Sequence, residues 1–424
     1  MIATDHSPSR TTRGPEGRTS DVPAQRTEQE FTLDAVVLGG CGHVGLPLGI
    51  ALASRGQRVS LFDIDEAAVE RVNRGELPFR EEHAEKPLRE ALDAGLLRAT
   101  TDASVIAGAE HIIVVVGTPV DKHLNPDLGA VPRALEACLP HLRDGQMVIL
   151  RSTVYPGVTA LTERLLAKLD ADLDVAFCPE RIAEGKAMTE LFDLPQIVAG
   201  RTNRSQKRAE EFFRVLTDEI VTLEPEEAEL AKLFTNTWRY IKFATANQFW
   251  MMANDFGVDF ERIRHAVTWE YPRAADLPGA GFAAGPCLFK DTMQLAAFNK
   301  NNFVLGHAAM MINEGLPLYL VSRLENRYEL PLMTVGILGM AFKPDSDDPR
   351  ESLSYKLRRI LELKCRHVLA TDPHVKDDTL HPLDEVLEKA DLLIIATPHE
   401  EYRRLRSHVP VIDIWGATGN GVQV

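Results

Sequence analysis

The sequence predicts an α/β fold in which two doubly wound parallel-sheet units are joined by a central helical unit with one long helix. Short apolar, β-rich runs alternate with amphipathic segments in the first half of the chain and again from Leu332, and this alternation is typical of a parallel sheet with helices on both faces. Between these regions, apolar residues recur at helical spacing. The 424 residues suffice for two or three domains with cores of their own.

The expected elements follow in order along the chain. Strands are expected near residues 35–38, 59–62, 111–116, 147–150, 175–177 and 197–198. One helix is then expected from Pro225 to about Phe256, because Pro225 suits a first turn and Glu226 and Glu227 lie near the positive end of the helix dipole. More helix follows on either side of a Gly- and Pro-rich loop at 277–286, up to about Arg327. Strands return near 334–338, 367–370, 392–396 and 409–412.

We place the domain boundaries from this pattern. Residues 1–33 are expected to be a disordered tail, because 1–30 are polar and lack the apolar stretch of a signal peptide. Three units follow, at 34–221, 222–328 and 329–424. The two outer units echo each other weakly, since 109–119 and 390–398 share a pattern and Asp63 and Asp372 are both strand-end acids. The sequence leaves open whether this echo reflects more than a shared fold class.

Composition excludes several function classes. The formal net charge of −15 argues against nucleic-acid binding, which needs a basic face. The five cysteines are scattered and lack a C-x-x-C pair, which argues against a disulfide framework or a structural zinc site and favours the cytoplasm. No apolar run reaches the roughly 18 residues of a membrane span. We therefore expect a cytoplasmic protein with no metal ion, membrane span or nucleic-acid partner.

A dinucleotide site is predicted where Gly40-Cys41-Gly42-His43-Val44-Gly45 follows a strand and opens a helix. Gly40 is expected to permit the tight turn, Gly42 to let a pyrophosphate approach the backbone, and Gly45 to let helix and strand pack closely. Asp63 ends the second strand, where a carboxylate accepts hydrogen bonds from ribose hydroxyls and repels a 2′-phosphate. The predicted cofactor is therefore NAD.

Polar residues also lie at later strand ends. Thr118, Ser152 and Thr153 are, on spacing alone, as well explained as turn residues as they are as ligands. Glu180 and Glu184 are four residues apart, which suits either acid–base chemistry or two surface acids.

Candidate catalytic groups lie in the middle region. Cys287 follows a loop of small residues and precedes Lys290 and Asp291, so its thiol could have a lowered pKa and act as a nucleophile, or be a buried inert cysteine. Lys232 and Asn236 share one helix face, where they could polarise an oxygen, although, taken alone, a solvated helix lysine is the simpler interpretation.

A further group of charges follows the predicted strand at 334–338. Lys343 and Arg350, in a run that continues to Ser352, could hold phosphates or form a solvent-exposed face.

Taken together, these motifs resemble those of the UDP-glucose/GDP-mannose dehydrogenase family, in the family's order from about Asp34 to Trp415. The matching segments are the glycine loop at 40–45, 152–157 (STVYPG), 179–185 (PERIAEG), 227–236 (EAELAKLFTN), 287–291 (CLFKD), 341–344 (AFKP) and 350–352 (RES). The resemblance implies an N-terminal Rossmann domain for NAD, a central helical dimerisation domain, and a C-terminal Rossmann-like domain for the UDP-sugar.

The resemblance also implies the reaction, which is oxidation of the C6 alcohol of a UDP-linked hexose to a carboxylate in two hydride transfers. Cys287 would attack the aldehyde to give a thiohemiacetal and then a thioester. Lys232 and Asn236 would stabilise the oxyanion. Asp291, with Thr153 and a bound water, would act as base for alcohol oxidation, and Glu180, with Glu184 nearby, would help water cleave the thioester.

The same resemblance implies further contacts. Those to the cofactor involve Gly40, Gly42, His43, Val44, Gly45, Asp63, Thr118, Ser152, Thr153, Lys290 and Arg350. Those to the substrate involve Arg181, Lys232, Asn236, Arg273, Phe282, Gly285, Phe342 and Lys343, with Arg273 reaching into the neighbouring subunit.

Two segments favour an N-acetylhexosamine. Arg181 stands where UDP-glucose and GDP-mannose enzymes usually have Phe, and the loop at 281–287 reads GFAAGPC rather than GFGGSC. Both features resemble the UDP-N-acetylmannosamine branch, with UDP-N-acetylglucosamine, UDP-N-acetylgalactosamine and UDP-glucose as alternatives. One departure is Gln248 after Asn247, where the family usually has Glu.

Two alternative functions predict different chemistry. A β-hydroxyacid dehydrogenase would share the glycine loop and the Lys232–Asn236 pair, but would transfer one hydride and need no Cys287. A non-catalytic nucleotide-sugar binding protein should have lost part of the set. The large apolar side chains of the long helix predict a homodimer; they are Trp238, Phe243, Phe249, Trp250, Met251 and Met252.

Overall fold

The structure is a computed structural model that describes residues 31–121, 123–419 and 424. The tail predicted for 1–33 lies, up to residue 30, outside the described residues, and the first strand begins at Leu33.

The first sheet has eight strands within the described residues, in the order β3-β2-β1-β4-β5-β6-β7-β8. They are Leu33–Leu38 (β1), Val59–Phe62 (β2), Leu97–Thr100 (β3), Ala109–Val114 (β4), Met147–Leu150 (β5), Asp174–Phe177 (β6), Gln196–Gly200 (β7) and Ile220–Leu223 (β8). Neighbouring strands are parallel, apart from β6 and β7, which run antiparallel with Ala176 opposite Gly200. The α/β class is confirmed, with one antiparallel pair that the sequence did not predict.

The two edge strands, β3 and β8, were missing from the sequence prediction. In β3 (LRAT) buried and exposed side chains alternate, and in β8 (IVTL) every side chain is at least partly exposed. Neither strand has the continuous apolar run of the central strands. A strand that is paired on one side only needs less apolar surface, so the pattern that revealed the central strands is weak at the edges.

Helices cover both faces of this sheet and form the middle of the chain. They are Gly45–Ser54 (α1), Glu66–Asn73 (α2), Glu85–Asp93 (α3), Ala130–Glu136 (α4), Val158–Leu166 (α5), Ala187–Asp193 (α6), Asn203–Phe213 (α7), Pro225–Phe256 (α8), Phe260–Thr268 (α9), Leu288–Phe298 (α10), Val304–Glu325 (α11), Leu353–Glu362 (α12) and Leu383–Lys389 (α13).

The long helix α8 has the bounds that the sequence predicted. It starts with Pro225 after a capping box between Glu224 and Glu227, and it ends at Gly257, whose φ of 79° lies in the left-handed region that favours glycine. It packs against α10 and α11. This packing places the middle of α8 beside the loop that carries Cys287.

The second sheet has four parallel strands among the residues that the structure describes, in the order β10-β9-β11-β12. They are Thr334–Leu338 (β9), His367–Thr371 (β10), Leu392–Ile395 (β11) and Val411–Asp413 (β12). Its core is continuous with the central helices, because Trp250 of α8 and Leu316 of α11 belong to the same buried cluster as Val335 and Ile337 of β9.

Helix α11 is long and apolar enough to cross a membrane by length and composition alone. Its Leu316, Leu320 and Leu324 are completely buried, and the helix packs against α8 and α12. A core helix of this kind passes the same test, so α11 is weak evidence for a membrane span.

The internal echo extends to the backbone of both sheets. Gly39 after β1 and Gly339 after β9 both have positive φ, and Asp63 and Asp372 each accept a hydrogen bond from the N–H two residues after that glycine. The sites differ in what surrounds the carboxylate, because Asp372 also lies 3.0 Å from Nε2 of the buried His399. Only the first of these turns therefore leaves its aspartate accessible to a ligand.

Candidate active site

The glycine loop packs as a dinucleotide-binding turn, and Gly39 rather than Gly40 has the positive φ. A Cβ at Gly40 would lie 2.7 Å from Cβ of Leu61, and one at Gly45 would lie 2.5 Å from the carbonyl oxygen of Gly39. The positive φ, 76°, belongs to Gly39, so Gly39 supplies the unusual backbone conformation of the turn, while Gly40, which also lies in the turn, is needed for close packing against β2. The nearest atom to a Cβ at Gly42 is 3.6 Å away, which leaves its backbone open to a ligand.

The start of α1 is suited to an anion. Within the described part of the chain no side chain caps this helix, whose N-cap is Val44, so its first N–H groups remain available for a pyrophosphate. Asp63 lies beside the loop, where its Oδ2 accepts a hydrogen bond from the N–H of Cys41 over 2.9 Å. The donors, the open backbone at Gly42 and the carboxylate fit a bound NAD.

Polar residues that follow β4 and β5 connect the edge of the first sheet near the glycine loop to α10. The hydroxyl of Thr118 donates to the carbonyl of Thr153 over 2.6 Å and lies 3.1 Å from Nζ of Lys290. The hydroxyl of Ser152 donates to the carbonyl of Val116 over 2.7 Å. These bonds fix Lys290 against the edge of the first sheet.

The predicted catalytic residues Cys287, Lys232, Asn236 and Asp291 come together between α8 and α10. Cys287 is the N-cap of α10, and Asp291 lies in the first turn of that helix, completely buried. The amide of Asn236 donates to Oδ2 of Asp291 over 2.5 Å, and Nζ of Lys290 lies 3.3 Å from Oδ1. Lys232 is buried one turn before Asn236 on the same helix face.

Burial dominates the electrostatics of this cluster. It lowers the pKa of Lys232, while the charges of Asp291 and Cys287 oppose that shift. It also raises the pKa of the Cys287 thiol, helped by Asp291 and opposed by Lys290 and Lys232. The lowered thiol pKa that the adjacent cation suggested is not found, because desolvation and a nearby carboxylate outweigh the two lysines even though Cys287 is exposed to the cleft.

Cys287 opens onto a cleft of about 260 Å³. Predicted site residues that line this cleft are His43, Val44, Glu184, Lys232, Asn236, Phe282, Gly285, Cys287, Phe342 and Lys343. Gly285 allows the ring of Phe342 to approach, since a Cβ there would lie 2.5 Å from Cδ2 of Phe342. The cleft therefore brings residues of the glycine loop, the central helices and the second sheet unit to one space.

Charged residues from both sheet units meet at one wall of the cleft. Nδ1 of His43 lies 2.9 Å from Oε1 of Glu184, and Nζ of Lys343 donates to the carbonyl of Glu184. Burial lowers the pKa of Lys343, and the charge of Glu184 opposes this. Arg350 is held by Asp348 through Nε at 2.9 and 2.8 Å.

Glu180 and Arg181 lie behind the cleft lining. Oε2 of Glu180 accepts hydrogen bonds from Nε of the buried Arg151 over 2.9 Å and from its Nη2, while Oε1 accepts the N–H groups of Arg181 and Ile182. All acceptor positions of this carboxylate are thus occupied. The guanidinium of Arg181 donates to the carbonyl of Pro195, so the structure does not place it among the residues lining the cleft.

Two other predicted residues are not brought into the cleft. Arg273 is exposed, and its Nε donates to the hydroxyl of Tyr271 over 3.0 Å. Thr153 contributes only its carbonyl to a described hydrogen bond.

Sequence reasoning missed three residues near the site. Arg151 stands out only as an arginine at the end of an apolar run, and Trp415 lines the cleft from the second sheet unit. Arg239 had a usable signal, because it lies three residues after Asn236 and seven after Lys232, on the same helix face.

Two groups of histidine and carboxylate atoms in the described part lie within 4.8 Å of one another, His43–Glu184–Asp348 and Asp345–His374–His399–Glu401. In the first, Asp348 is bound by Arg350. In the second, Nδ1 of His399 accepts the N–H of Asp345 and its Nε2 lies 3.0 Å from Asp372. Neither group presents a complete set of free ligand atoms.

Known proteins resemble the chain over most of its length. Models of the UDP-glucose/GDP-mannose dehydrogenase family match at residues 34–217 (NAD binding domain), 226–315 (central domain) and 336–420 (UDP binding domain). The UDP-N-acetyl-D-mannosamine dehydrogenase of Pyrococcus horikoshii is 33% identical over 377 residues, which cover 86% of this chain and 89% of that protein.

Two solved structures share the fold. The UDP-glucose dehydrogenase of Pyrobaculum islandicum superposes with a TM-score of 0.85 at 28% identity, covering 95% of this chain and 99% of that one. The UDP-N-acetylmannosamine dehydrogenase of Pyrococcus horikoshii gives a TM-score of 0.83 at 30% identity, covering 90% and 95%.

Proposed function

The chain belongs to the UDP-glucose/GDP-mannose dehydrogenase family, and on that basis we propose that it oxidises the C6 alcohol of a UDP-N-acetylhexosamine to the uronate through a thioester on Cys287. It is an NAD-dependent UDP-sugar oxidoreductase. The observation that carries the proposal is the opening of Cys287 onto a cleft lined by Lys232 and Asn236, with Asp291 buried directly behind them.

The side chains of the site have separate roles in the reaction. NAD, when bound at the glycine loop, accepts the hydride in each of the two oxidations. Asp291 accepts the proton of the C6 hydroxyl, through water because its side chain is buried. Lys232 and the second amide hydrogen of Asn236 hold the C6 oxygen as charge develops on it.

Cys287 carries the intermediate between the two oxidations. Its thiolate adds to the C6 aldehyde to give a thiohemiacetal, whose oxidation leaves a thioester. Burial and the charge of Asp291 raise the pKa of this thiol, and the cations of Lys290 and Lys232 oppose that rise and so favour the thiolate.

We assign the final hydrolysis to Glu184 rather than Glu180. Glu184 lines the cleft, whereas both oxygens of Glu180 are occupied by Arg151 and by backbone N–H groups. Glu184→Gln should accumulate the uronyl thioester, visible as added mass on the intact protein. Accumulation in Glu180→Gln alone would return the role to Glu180.

The proposed sugar is N-acetylmannosamine. Support comes from relatives named UDP-N-acetyl-D-mannosamine dehydrogenase at 29–33% identity and from the small Ala283-Ala284 loop that lines the cleft. The test is NADH formation from UDP-N-acetylmannosamine, UDP-N-acetylglucosamine, UDP-N-acetylgalactosamine and UDP-glucose, compared as kcat/KM. Faster turnover of UDP-glucose than of every acetamido sugar would overturn the assignment.

We also propose a homodimer through the central helices. Large apolar side chains on α8 and α11 are exposed, including Phe256 at 84%, Met252 at 62% and Met311 at 71%. Burial of these side chains against a second copy removes apolar surface from water. Sedimentation at micromolar concentration should give a dimer, and a monomer would contradict the proposal.

The five cysteines, all within the described residues, are free, which supports a cytoplasmic location.

A further inference from the structure

Glu81 is a buried carboxylate in the segment between α2 and α3, and no step of the proposed reaction uses it. Its Oε2 accepts the N–H of Gly185 over 2.9 Å, and its Oε1 accepts the N–H of Ala187 over 2.7 Å. Burial raises the pKa of this carboxyl group, and the backbone hydrogen bonds oppose that rise. Because burying a carboxylate is unfavourable, what the fold gains from Glu81 is the position of the backbone that it binds.

The turn that Glu81 holds carries Glu184, to which we assign the hydrolysis of the thioester. The next residue, Gly185, has a φ of 81°, in the left-handed region that favours glycine. The carbonyl of Glu184 accepts a hydrogen bond from Nζ of Lys343, and its side chain lines the cleft. Glu81 and Lys343 therefore hold the backbone at Glu184 from two sides.

The position of the Glu184 carboxylate depends on that backbone. Its Oε1 lies 2.9 Å from Nδ1 of His43, whereas its Oε2 lies 3.9 Å from Nη2 of Arg350, beyond hydrogen-bond distance. Among the described residues, Oε2 is therefore left open to take a proton from water. A general base has to lie within about 3 Å of the water that it deprotonates, and a misplacement of about 1 Å can cost about 100-fold in rate.

We infer that Glu81 is a positioning residue for thioester hydrolysis, because it holds the turn of residues 184–187 so that Glu184 faces the thioester. This inference rests on the proposed function. The structure does not place Glu81 among the described residues lining the cleft, so it acts through Glu184. Its loss should therefore slow hydrolysis and spare the two hydride transfers.

The hydrolytic step balances without a further reagent. The oxygen of water adds to the carbonyl carbon of the thioester, and Glu184 accepts one proton of that water. The carbon–sulfur bond then breaks, its electron pair stays with the sulfur of Cys287, and Glu184 returns the proton to that sulfur. The uronic acid loses the remaining water proton to solvent.

The test compares Glu81→Gln with Glu82→Gln, which makes the same change on the exposed neighbouring side chain. Glutamine keeps the size of the Glu81 side chain but turns an NH₂ group toward one of the two backbone N–H groups, so that one hydrogen bond is lost. With UDP-N-acetylmannosamine and NAD, Glu81→Gln should release a burst of two NADH per site and then turn over about 10- to 100-fold more slowly. The uronyl thioester should accumulate as added mass on the intact protein. Glu82→Gln should show neither change.

Two further variants separate positioning from a loss of fold. Glu81→Asp keeps the charge but shortens the reach, so it should accumulate the thioester as well, and it takes the place of Glu81→Gln if that variant does not fold. In a Glu184→Gln background, Glu81→Gln should slow hydrolysis no further, because both changes act on one group. Further slowing in the double variant would contradict the inference.

Other outcomes would also overturn it. Loss of the NADH burst together with turnover, without thioester on the protein, would indicate that Glu81 serves the fold in general, and unchanged turnover would show that Glu184 does not depend on it. A failure of the proposed function is distinguishable, because Glu184→Gln itself would then accumulate no thioester, whatever Glu81→Gln does.

Discussion

The side-chain amide of Asn236 donates a hydrogen bond to Oδ2 of Asp291 over 2.5 Å, and this bond ties α8 to the first turn of α10. Asp291 is completely buried, and its N–H donates to the carbonyl of Cys287 over 2.9 Å. The bond therefore fixes Cys287 relative to the helix that carries Lys232 and Asn236.

Asn236→Ala should lower kcat by about 10- to 100-fold, because it removes both an oxyanion donor and a partner of a buried carboxylate. The measurement is steady-state NADH formation, with the melting temperature recorded to separate catalysis from stability. Thr235→Ala is the matched control, since among the described residues its hydroxyl bonds only to the carbonyl of Ala231 within the same helix. An Asn236→Ala enzyme with unchanged kcat would remove Asn236 from the mechanism.

Lys232 predicts an alkaline limit to activity. Burial lowers its pKa below the ordinary 10.5, so the ammonium that we propose stabilises the oxyanion is lost before the usual lysine range is reached. The kcat profile should therefore fall on the alkaline side below pH 10.5. A profile that stays flat into the ordinary lysine range would contradict a catalytic ammonium at this position.

The same shift makes a prediction about stability. Between the lowered folded pKa and 10.5, the unfolded chain binds more protons than the folded one, so the free energy of unfolding from this group rises with pH in that window. Lys232→Met removes the buried cation, and its melting temperature should equal or exceed that of the unchanged protein while activity is lost. A large drop in melting temperature would show that the ammonium stabilises the fold.

Cys287 should react slowly with iodoacetamide at neutral pH. Burial raises the thiol pKa above its ordinary 9.0, and only the thiolate is alkylated. The inactivation rate should rise about tenfold per pH unit up to at least pH 9, and Lys290→Met should slow it further by removing a cation that lowers this pKa. Cys365→Ser as background removes the other accessible thiol. A plateau in the rate below pH 8 would refute the raised pKa.

The buried pair of Arg151 and Glu180 should contribute strongly to stability. Both side chains are buried, and Arg151 also donates to the carbonyl of Cys178 and to Gln196 over 3.0 Å. Arg151→Met should lower the free energy of unfolding by about 3–5 kcal/mol, because it leaves a buried carboxylate unpaired. Addition of Glu180→Gln should recover part of that loss. If the losses in unfolding free energy of the two single variants, measured in denaturant, simply add in the double variant, the two residues are independent.

The sequence predicted the elements whose signal is local. The central strands, the full extent of α8 and the glycine loop were all visible, because apolar periodicity and turn chemistry report on neighbouring residues. The edge strands β3 and β8 were missed because they are short and half exposed. The shared face of Lys232 and Asn236 followed from helical spacing alone.

Side-chain orientation could not be predicted from the sequence in the same way. Arg181 turns toward Pro195 and Glu180 toward Arg151, and both directions depend on residues that only the fold brings near. The raised pKa of Cys287 likewise arises from desolvation, which the adjacent lysine in sequence does not reveal. Arg239 was within reach of the sequence, since it continues the face of Lys232 and Asn236 by one turn.

The central claim is that Cys287 carries the intermediate between two oxidations, and Cys287→Ser tests it through the number of NADH molecules released per sugar. The unchanged enzyme should release two NADH for each UDP-sugar consumed, because oxidation of an alcohol to an acid removes four electrons. Cys287→Ser should still bind NAD, since the glycine loop is untouched, but should lose uronate formation by several orders of magnitude, because a serine hydroxyl is a far weaker nucleophile than a thiolate. If Cys287→Ser instead releases two NADH per sugar at nearly the unchanged rate, Cys287 is not the nucleophile and the proposed mechanism is wrong.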